Sequence, residues 1–488
     1  MLTRVWVVIV GAVLVLTALA APTPASPAST ATSTGQASQR HQDPPRRRGE
    51  LPRNRWSGPA GTATMHGDPG SSDTTPLRGP GATPQAVQHV VLPGVCPTIL
   101  AGRDGVPLAL CTEYADRAPS VYLLDPTTYL PLARLHLQAG ALLGGVYAYV
   151  DHRDRLVTVD GSGAIVLVAH DENGPAGTDR LFVQRRIPFT RAISRLCGST
   201  SCDSLVSVAP GYDGRIWFAT AHAAAGYADP RTGRVVVRRL GSRQELIGNS
   251  ISTAPDGTVV TTDRATYLLR ADGRGRVRQL WRRGYDRGSA RKPGQLTQGS
   301  GATPTFFGPR TGHEFVAITD NARPRSRVLV YRTSTGALRC SLPVLARDNS
   351  GSENSPIAFR RSIYVASTYG YPYPAGTTGT SDPASAPFVG GLERVDLTRR
   401  GCRSVWRTRT RSSAVPRLST AEGVIHTVTR SASLAYDLVR ISPRDGRVVS
   451  RSRIGNGPTA DTLQMVGSIL ADGTLLQGNI AGLTVTRR

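Results

Sequence analysis

Lysine is almost absent from this chain of 488 residues: Lys292 is its single lysine, so the formal net charge of +25 at pH 7 is carried by arginine. A sustained helical period is also missing, because no window repeats apolar residues every three to four positions. The sequence contains no G-x-S-x-G elbow, H-E-x-x-H pair, EF-hand loop or glycine-rich phosphate loop. These absences argue against a helical protein and against several common hydrolase, metalloprotease and nucleotide-binding classes.

The arginine excess produces a positive field that attracts anionic polymers or headgroups and is strongest at low salt. The arginines are scattered through predicted turns and strand edges, without a basic helix or an aromatic platform, so a nucleic-acid partner is not expected. Adhesion to anionic wall polymers stays open. The run Arg46–Arg48 is interpreted either as a contact with an anionic surface or as a solvated segment.

The first twenty residues have the pattern of an export signal. Arg4 precedes an apolar run over residues 5–19, and Ala18-Leu19-Ala20 provides a small-residue exit. We predict a signal peptide over residues 1–20; because the run is slightly short for a bilayer span, a retained anchor is the alternative. No cysteine follows the run, which excludes a lipoprotein anchor. The protein is expected to be secreted or extracytoplasmic, with membrane contact only through an uncleaved N-terminal segment.

A change of composition divides the remaining chain in two. Residues 21–85 are rich in Pro, Ser, Thr, Ala, Gly and Arg and have hardly a large apolar side chain. Such a segment buries too little surface to offset the entropy of ordering, so it is predicted to be a disordered linker. From residue 86 to residue 488, alternating apolar positions are punctuated by Gly, Asp and Pro, which predicts one all-β domain.

Two successive segments between residues 245 and 340 repeat one pattern of four short strands. Gly257–Asp263 and Glu314–Asp320 are their clearest strands, and each is followed by a second alternating strand, a glycine turn and a closing strand. Four short strands repeated at roughly fifty residues are typical of a β-propeller blade. Counting outward predicts eight blades, with seven as the alternative. The last blade, over residues 463–485, has only three convincing strands, and residues 87–92 are placed to complete it.

Six cysteines carry neither C-x-x-C nor C-x-x-H spacing. In an exported chain this favours three disulfides over a metal site, with buried thiols as the alternative. Nearest-neighbour pairing in chain order is the simplest of the roughly fifteen connectivities. The predicted pairs are Cys96 with Cys111, Cys197 with Cys202, and Cys340 with Cys402.

Propeller geometry assigns each turn to a face. Turns between strands one and two, and between three and four, share what we call the hairpin face. Blade-to-blade connections, and turns between strands two and three, share the opposite, connector face. Asp213-Gly214 and Asp256-Gly257 fall on the hairpin face and are interpreted as structural turns.

Carboxylates and amides from adjacent blades collect on the connector face. They predict a ligand site, since oxygen donors arriving together bind a hard cation or a polar ligand. Its residues are Asn249, Asp263, Asp320, Asn321, Glu353 and Asn354, of which Asn249, Asp320 and Glu353 are the candidate calcium ligands. The alternative is that these side chains cap their own turns. Tyr369, Tyr371 and Tyr373 begin a long loop here and either stack on a sugar or peptide or fold onto the protein.

Three motifs carry a resemblance: Gln298–Thr305, Ala317–Ala322 and Ser352–Ser355. In them the chain resembles uncharacterised exported bacterial proteins of the quinoprotein-like (PQQ-like) β-propeller superfamily. The resemblance implies the fold and brings no activity with it.

Two better known propeller families are similar in part. Quinone-dependent dehydrogenases repeat D-x-x-T-G followed by a docking tryptophan; Asp229–Gly233 matches the first half, but tryptophans do not recur in each blade and no Cys-Cys pair exists, so PQQ is not expected. Six-bladed calcium-dependent lactonases place Glu, Asn and Asp at the channel mouth, to which Glu353, Asn249 and Asp320 are similar in type, although the blade count differs.

The sequence therefore favours an exported, non-catalytic propeller that binds an envelope ligand or protein partner through its connector face. The alternative is a calcium-assisted hydrolase or lactonase, in which a cation on the same carboxylates polarises a carbonyl or a bound water. No catalytic residue can be assigned from the sequence.

Overall fold

The structure is a computed structural model that describes residues 44–140, 146–171, 180–242, 244–374 and 377–488. The predicted signal peptide over residues 1–20 lies outside these ranges. Within them, no helix combines the length and the apolar character needed to cross a membrane.

The strands form eight small sheets in a ring, which confirms the eight-bladed propeller predicted from the sequence. In blades one to seven, the four strands follow one another in chain order, as antiparallel strands joined by short turns do.

Two strands precede the blades: β1 (Thr74–Thr75) and β2 (Ala86–Val91). The others are, in blade one, β3 (Gly94–Ala101), β4 (Pro107–Glu113), β5 (Pro119–Leu124) and β6 (Pro131–His136); in blade two, β7 (Tyr149–Val150), β8 (Leu156–Asp160), β9 (Ala164–His170) and β10 (Leu181–Pro188); in blade three, β11 (Leu205–Pro210), β12 (Ile216–Thr220), β13 (Ala224–Ala228) and β14 (Val235–Arg239); in blade four, β15 (Ser252–Ala254), β16 (Gly257–Thr261), β17 (Ala265–Ala271) and β18 (Val277–Gly284); in blade five, β19 (Thr305–Phe307), β20 (Phe315–Thr319), β21 (Arg327–Arg332) and β22 (Leu338–Pro343); in blade six, β23 (Ile357–Phe359), β24 (Ser362–Ala366), β25 (Leu392–Thr398) and β26 (Gly401–Thr408); in blade seven, β27 (Arg417–Ser419), β28 (Val424–Arg430), β29 (Ala435–Ile441) and β30 (Val448–Asn456); and in blade eight, β31 (Gly467–Ile469), β32 (Leu475–Asn479) and β33 (Gly482–Arg487).

The core lies between neighbouring blades. Inner strands such as β12 are buried throughout, whereas outermost strands alternate: in β18, Val277 and Trp281 are buried while Arg278 and Arg282 face solvent. One apolar cluster joins Trp217 of blade three to residues of blade four. Each blade therefore buries its apolar faces against its neighbours.

Blade eight is completed by the N-terminal strand β2, as predicted. Its sheet order is β31-β32-β33-β2, and β2 runs antiparallel to β33 with Ala86 opposite Arg487 and Val91 opposite Gly482. The strand begins and ends one residue earlier than the predicted range of residues 87–92. The pairing removes the exposed edge that β33 would otherwise present.

Two tryptophans on outermost strands dock on the following blade. Trp281 of β18 donates its Nε1–H to the carbonyl oxygen of Thr333 at 2.7 Å, and its ring covers Gly336, whose φ is 67°. Trp406 of β26 covers Gly446 of blade seven in the same way. Tryptophan docking thus links blade four to five and blade six to seven without recurring in every blade.

Residues 44–85 are not the disordered linker that the composition predicted. Residues 57–75, which we call the plug, run along the channel against the first strands of successive blades. Their carbonyl oxygens accept hydrogen bonds from the backbone N–H groups of Thr253 (2.7 Å), Phe306 (2.9 Å), Ala358 (3.0 Å) and Leu418 (2.9 Å), in blades four to seven. The prediction of a disordered linker is therefore wrong for the described residues 44–85. Residues 21–43, the rest of the predicted linker, lie outside the described ranges.

The physical reason is the free edge of each innermost strand. A first strand has a neighbour on one side only, so its other backbone groups face the channel and need partners. Arg417 of β27, 3% exposed, holds the plug by donating to the carbonyl oxygens of Gly61 (3.0 Å) and Met65. Backbone hydrogen bonds and small residues stabilise this segment, so its low hydrophobicity gave no sign of order.

The three predicted disulfides are confirmed: Cys96–Cys111, Cys197–Cys202 and Cys340–Cys402. The third links the outermost strands of blades five and six, and the second closes the end of helix α1 (Thr190–Cys197). The sequence did not predict this helix, nor the 3-10 turn at Pro458–Ala460. Three disulfides are typical of a protein that folds outside the reducing cytoplasm.

Candidate functional site

Side chains from three blades meet at the connector-face mouth of the channel. Each lies on a connection before a first strand or on the loop after β24, where the chain passes close to the axis. The pKa of Tyr373 shows that these side chains lie close together. Burial raises this pKa well above its usual value, and Glu353, Tyr147 and Asp461, from the connections before blades six, two and eight, raise it further. This mouth cluster consists of Tyr147, Glu353, Tyr371, Tyr373 and Asp461.

Glu353 is the group in the mouth cluster that lacks a full set of partners. Its Oε1 is buried without a hydrogen-bond partner in the described part of the chain, and it packs so closely on Gly301 that a Cβ there would lie 2.1 Å away. Burial raises the pKa of Glu353 to about 8, although the backbone of Leu296 and Thr297 and the guanidinium of Arg291 lower it. At neutral pH the carboxyl is therefore mainly protonated and can both donate and accept a hydrogen bond.

Tyr147 and Tyr373 lie close enough to this carboxyl to feel its charge, and Tyr371 joins the cluster through Asp461 and Tyr373. The pKa of Tyr147 is raised by burial and by the charge of Glu353, while the backbone of Ser250 hydrogen-bonds its hydroxyl. The hydroxyl of Tyr371 donates to Asp461, and its ring centroid lies 5.0 Å from that of Tyr373. The mouth thus combines aromatic faces with a carboxyl group, which suits a ligand having both apolar and hydroxyl-bearing surface.

Three of the predicted site residues fasten the loop over residues 285–304, which we call the rim loop, to the connector face. Asn249 Nδ2 donates to two of its carbonyl oxygens, at 2.8 and 2.9 Å. Asp263 Oδ2 accepts from Arg287 at 2.6 Å, and Asn321 Nδ2 donates to the carbonyl oxygens of Arg287 (2.9 Å) and Ala290 (3.0 Å). These side chains position the rim of the mouth.

The remaining predicted residues also have partners within the protein. Asp320 Oδ1 accepts from the backbone N–H groups of Ala322 (3.1 Å) and Arg327 (2.6 Å). Burial raises the pKa of Asp320 to about 6, while those hydrogen bonds and Lys292 lower it. Asn354 Nδ2 donates to Gln464 Oε1 at 3.0 Å, which ties the connection before blade six to the one before blade eight. Of the six residues, Glu353 belongs to the mouth cluster.

Two of the three candidate calcium ligands, Asn249 and Asp320, have partners within the protein, and calcium binding by these residues stays a prediction. Within the described ranges, no group of three or more His, Cys, Asp or Glu side chains is arranged to hold a metal ion. Asn249 donates to the rim loop, one oxygen of Asp320 accepts two backbone N–H groups, and Glu353 favours its protonated form. A hard cation requires converging, ionised oxygen donors, so calcium binding here would require Asn249 and Asp320 to exchange their present partners and Glu353 to lose its proton.

A buried serine, histidine and aspartate meet inside the channel, but not as a catalytic relay. His66 Nδ1 lies 2.9 Å from Asp73 Oδ1 and 2.9 Å from Ser355 Oγ, and Ser355 also donates to Asp73. A relay places the serine and the aspartate on different ring nitrogens, whereas here both contact the same one. The network ties the plug to the connection before blade six.

Tyr147 and Asp461 were missed by the sequence analysis. Both lie on connections before first strands, β7 and β31, so the rule that selected Glu353 also applies to them. They do not come from adjacent blades, because blades two, six and eight meet only near the ring axis, and chain order does not indicate that they are close.

Comparisons with known proteins add little about function. No protein-family model matches the chain. An uncharacterised protein of Archaeoglobus fulgidus is 26% identical over 315 residues, which cover 58% of this chain and 61% of that protein. The chain thus spans about three fifths of the length of this curated relative.

Among solved structures, the chain is similar to the Dos1 propeller, with 10% identity, a TM-score of 0.48 and coverage of 83% of this chain and 94% of that one. It is also similar to streptogramin B lyase, with 10% identity, a TM-score of 0.39 and coverage of 82% and 96%. A putative 6-phosphogluconolactonase of Bacteroides fragilis shows 11% identity, a TM-score of 0.39 and coverage of 65% and 83%. At this level the similarities carry no argument about activity.

Proposed function

We propose that this protein is an exported, non-catalytic propeller that binds a polar ligand of the cell envelope, or a polar group of a protein partner, at the mouth cluster. The observation that carries the proposal is the buried, unpartnered Oε1 of Glu353. Leaving such an atom unsatisfied costs about 1–3 kcal/mol, which a ligand group that bonds to it would regain.

The chemistry of the mouth favours a neutral, hydroxyl-bearing ligand. A protonated Glu353 offers one donor and one acceptor, and the partly exposed ring of Tyr373 offers an apolar face. A sugar residue or a short peptide has this combination of surfaces. Export is supported by the leader-like residues 1–20 and by the three disulfides.

A set of variants at Glu353 tests the proposal. The probes are a panel of N-acetylglucosamine oligomers and short cell-wall peptides, with binding measured by titration calorimetry. We expect Glu353→Ala to weaken binding at least about tenfold, whereas Glu353→Gln, which keeps a neutral donor and acceptor, changes it less than about threefold. Tyr373→Ala should behave like Glu353→Ala.

The matched control is Tyr114→Phe, because Tyr114 is an exposed tyrosine outside the mouth. Its affinity should equal that of the unchanged protein. Equal losses in Glu353→Ala and Glu353→Gln would show that an ionised carboxylate is needed. Full affinity in both alanine variants would remove the mouth cluster as the binding site.

A further inference from the structure

Six exposed arginines lie together on the hairpin face, opposite the mouth cluster. They come from the segment that leads to the plug and from two turns of blade six. Turns between strands one and two, and between three and four, share this face, so all six project from the same side of the ring. This basic patch consists of Arg46, Arg48, Arg360, Arg361, Arg399 and Arg400.

Hydrogen bonds to backbone carbonyl oxygens fix the patch in place. Arg360 Nε donates to the carbonyl oxygen of Arg48 at 3.2 Å, which joins the N-terminal segment to the turn after β23. The backbone N–H of Leu397 donates to the carbonyl oxygen of Arg361 at 2.7 Å, which brings the turn before β26 alongside. That turn carries the last two arginines, so the six charges form one connected surface.

The charges of the patch are not neutralised by the protein. Among the residues that the structure describes, no carboxylate lies within ion-pair distance of the six guanidinium groups. Elsewhere arginines are paired: Arg394 lies 2.8 Å from Asp396, and Arg451 and Arg453 lie 2.8 and 2.6 Å from Asp437. The patch is therefore a place where part of the net charge of +25 stands uncompensated.

We propose that the basic patch docks the propeller on an anionic lipid surface. Guanidinium groups bind phosphate oxygens through two parallel hydrogen bonds, which suits phospholipid headgroups. The described chain begins at Pro44 on this same face, and residues 5–19, farther towards the N-terminus, form the apolar run of the sequence. Docking in this orientation turns the mouth cluster away from the membrane and leaves it open to ligand. The inference does not depend on the proposed function.

Three of the arginines can be removed with little risk to the fold. Arg361, Arg399 and Arg400 are exposed, and each takes part in the contacts of its turn through its own backbone atoms. An arginine near an anionic surface contributes about fivefold to membrane affinity, so three changes should weaken binding on the order of 100-fold. The test variant is Arg361→Gln with Arg399→Gln and Arg400→Gln.

The matched control removes the same charge from the connector face. Arg191 and Arg195 lie on α1, Arg409 follows β26, and all three are exposed. The control variant changes these three residues to Gln. The full chain is sedimented with vesicles of phosphatidylcholine containing about one third phosphatidylglycerol, and vesicles of pure phosphatidylcholine measure the part due to the apolar N-terminal run.

We expect the unchanged chain and the control to bind anionic vesicles equally, and the patch variant to bind on the order of 100-fold more weakly. Added salt should weaken binding of the unchanged chain more than that of the patch variant. Equal losses of vesicle binding in the patch variant and the control variant would show that net charge alone determines binding, and would overturn the proposal. So would failure of the unchanged chain to prefer anionic vesicles, or tighter binding to soluble polyphosphate than to vesicles at equal accessible phosphate.

Discussion

Glu353 carries a proton at neutral pH because its carboxyl group is buried near the channel axis. Burial raises its pKa from 4.5 to about 8. Between these two pH values the folded protein holds a proton that the unfolded chain releases. The contribution of Glu353 to stability is therefore fully present below about pH 4.5 and is lost as the pH rises through about 8.

Replacing Glu353 by Gln should remove this pH dependence. The free energy of unfolding of the unchanged protein should fall relative to that of the variant as the pH rises from about 5 to about 9, by on the order of 3 kcal/mol. Urea unfolding across this range measures the difference.

Glu314→Gln is the control for this experiment. Burial alone would raise the pKa of Glu314. Hydrogen bonds from backbone N–H groups, among them that of Thr311, outweigh burial, so the pKa of Glu314 lies below its usual value. Its ionised form is thus the one that the fold favours, and the Gln variant should not flatten the slope above neutral pH. Identical slopes for the unchanged protein and Glu353→Gln would show that Glu353 is ionised in the folded state.

At the scale of elements, docking of Trp281 on the next blade depends on a glycine in the turn that the ring covers. Gly336 has φ 67°, and a Cβ there would lie 2.8 Å from the ring of Trp281. Gly423 has nearly the same backbone, φ 64°, with nothing within 4 Å of the added atom. The two glycines thus separate the cost of backbone strain from the cost of the contact.

Gly336→Ala should destabilise the protein more than Gly423→Ala. Both variants incur the strain of a left-handed residue, about 1 kcal/mol, but only the first displaces the tryptophan, which should add about 1–3 kcal/mol. Denaturant unfolding followed by tryptophan fluorescence measures both effects. Equal destabilisation would show that the blades do not depend on this contact.

The plug is an element held mainly by backbone hydrogen bonds, so its order can be followed at backbone amides. Arg417→Ala removes the partner of two plug carbonyl groups and takes a positive charge away from Asp73 and Asp68. We expect the amides of Thr253 and Ala358, which donate to the plug, to exchange at least about tenfold faster. Hydrogen exchange measured by NMR or mass spectrometry checks this.

Arg394→Ala, which removes a paired arginine from blade six, serves as the comparison. It should leave the amides that face the plug unchanged. Rapid exchange of those amides in the unchanged protein would show that they are not hydrogen-bonded to the plug in solution.

Strand periodicity and turns predicted the ring, because Asp-Gly and Thr-Gly turns recur at blade spacing and the incomplete last blade required a strand from elsewhere. Cysteine order predicted the disulfides. The plug was not predicted, because composition measures apolar burial while this segment is ordered by the free edges of strands. For the candidate site, the sequence predicted that the polar side chains lie on the connector face, but not which of them have partners within the protein. Asn249 and Asp263 have the residue types of ligands, yet they bond to the rim loop through contacts that no local pattern specifies.

For the whole molecule, the disulfide between blades five and six should contribute more stability than the one beside α1. Cys340 and Cys402 are separated by 62 residues, Cys197 and Cys202 by 5. Chain entropy alone gives about 4 kcal/mol for the longer loop and about 2 kcal/mol for the shorter one. Calorimetry of the two paired Cys→Ser variants should show the larger fall in Tm for Cys340→Ser with Cys402→Ser. A larger fall in the other pair would place the stabilisation in local packing.

The strand that completes blade eight, β2, is synthesised before every other strand of the blades, and its partner β33 follows all of them. A growing polypeptide on the ribosome can pair strands within a blade, but β2 waits until Gly482–Arg487 has been made. The plug can be bonded earlier, once Leu418 of blade seven has been made, since the first strands that it joins lie in blades four to seven. Premature termination before Gly482 therefore leaves an open circle, and the ring closes only after Gly482–Arg487 has been made.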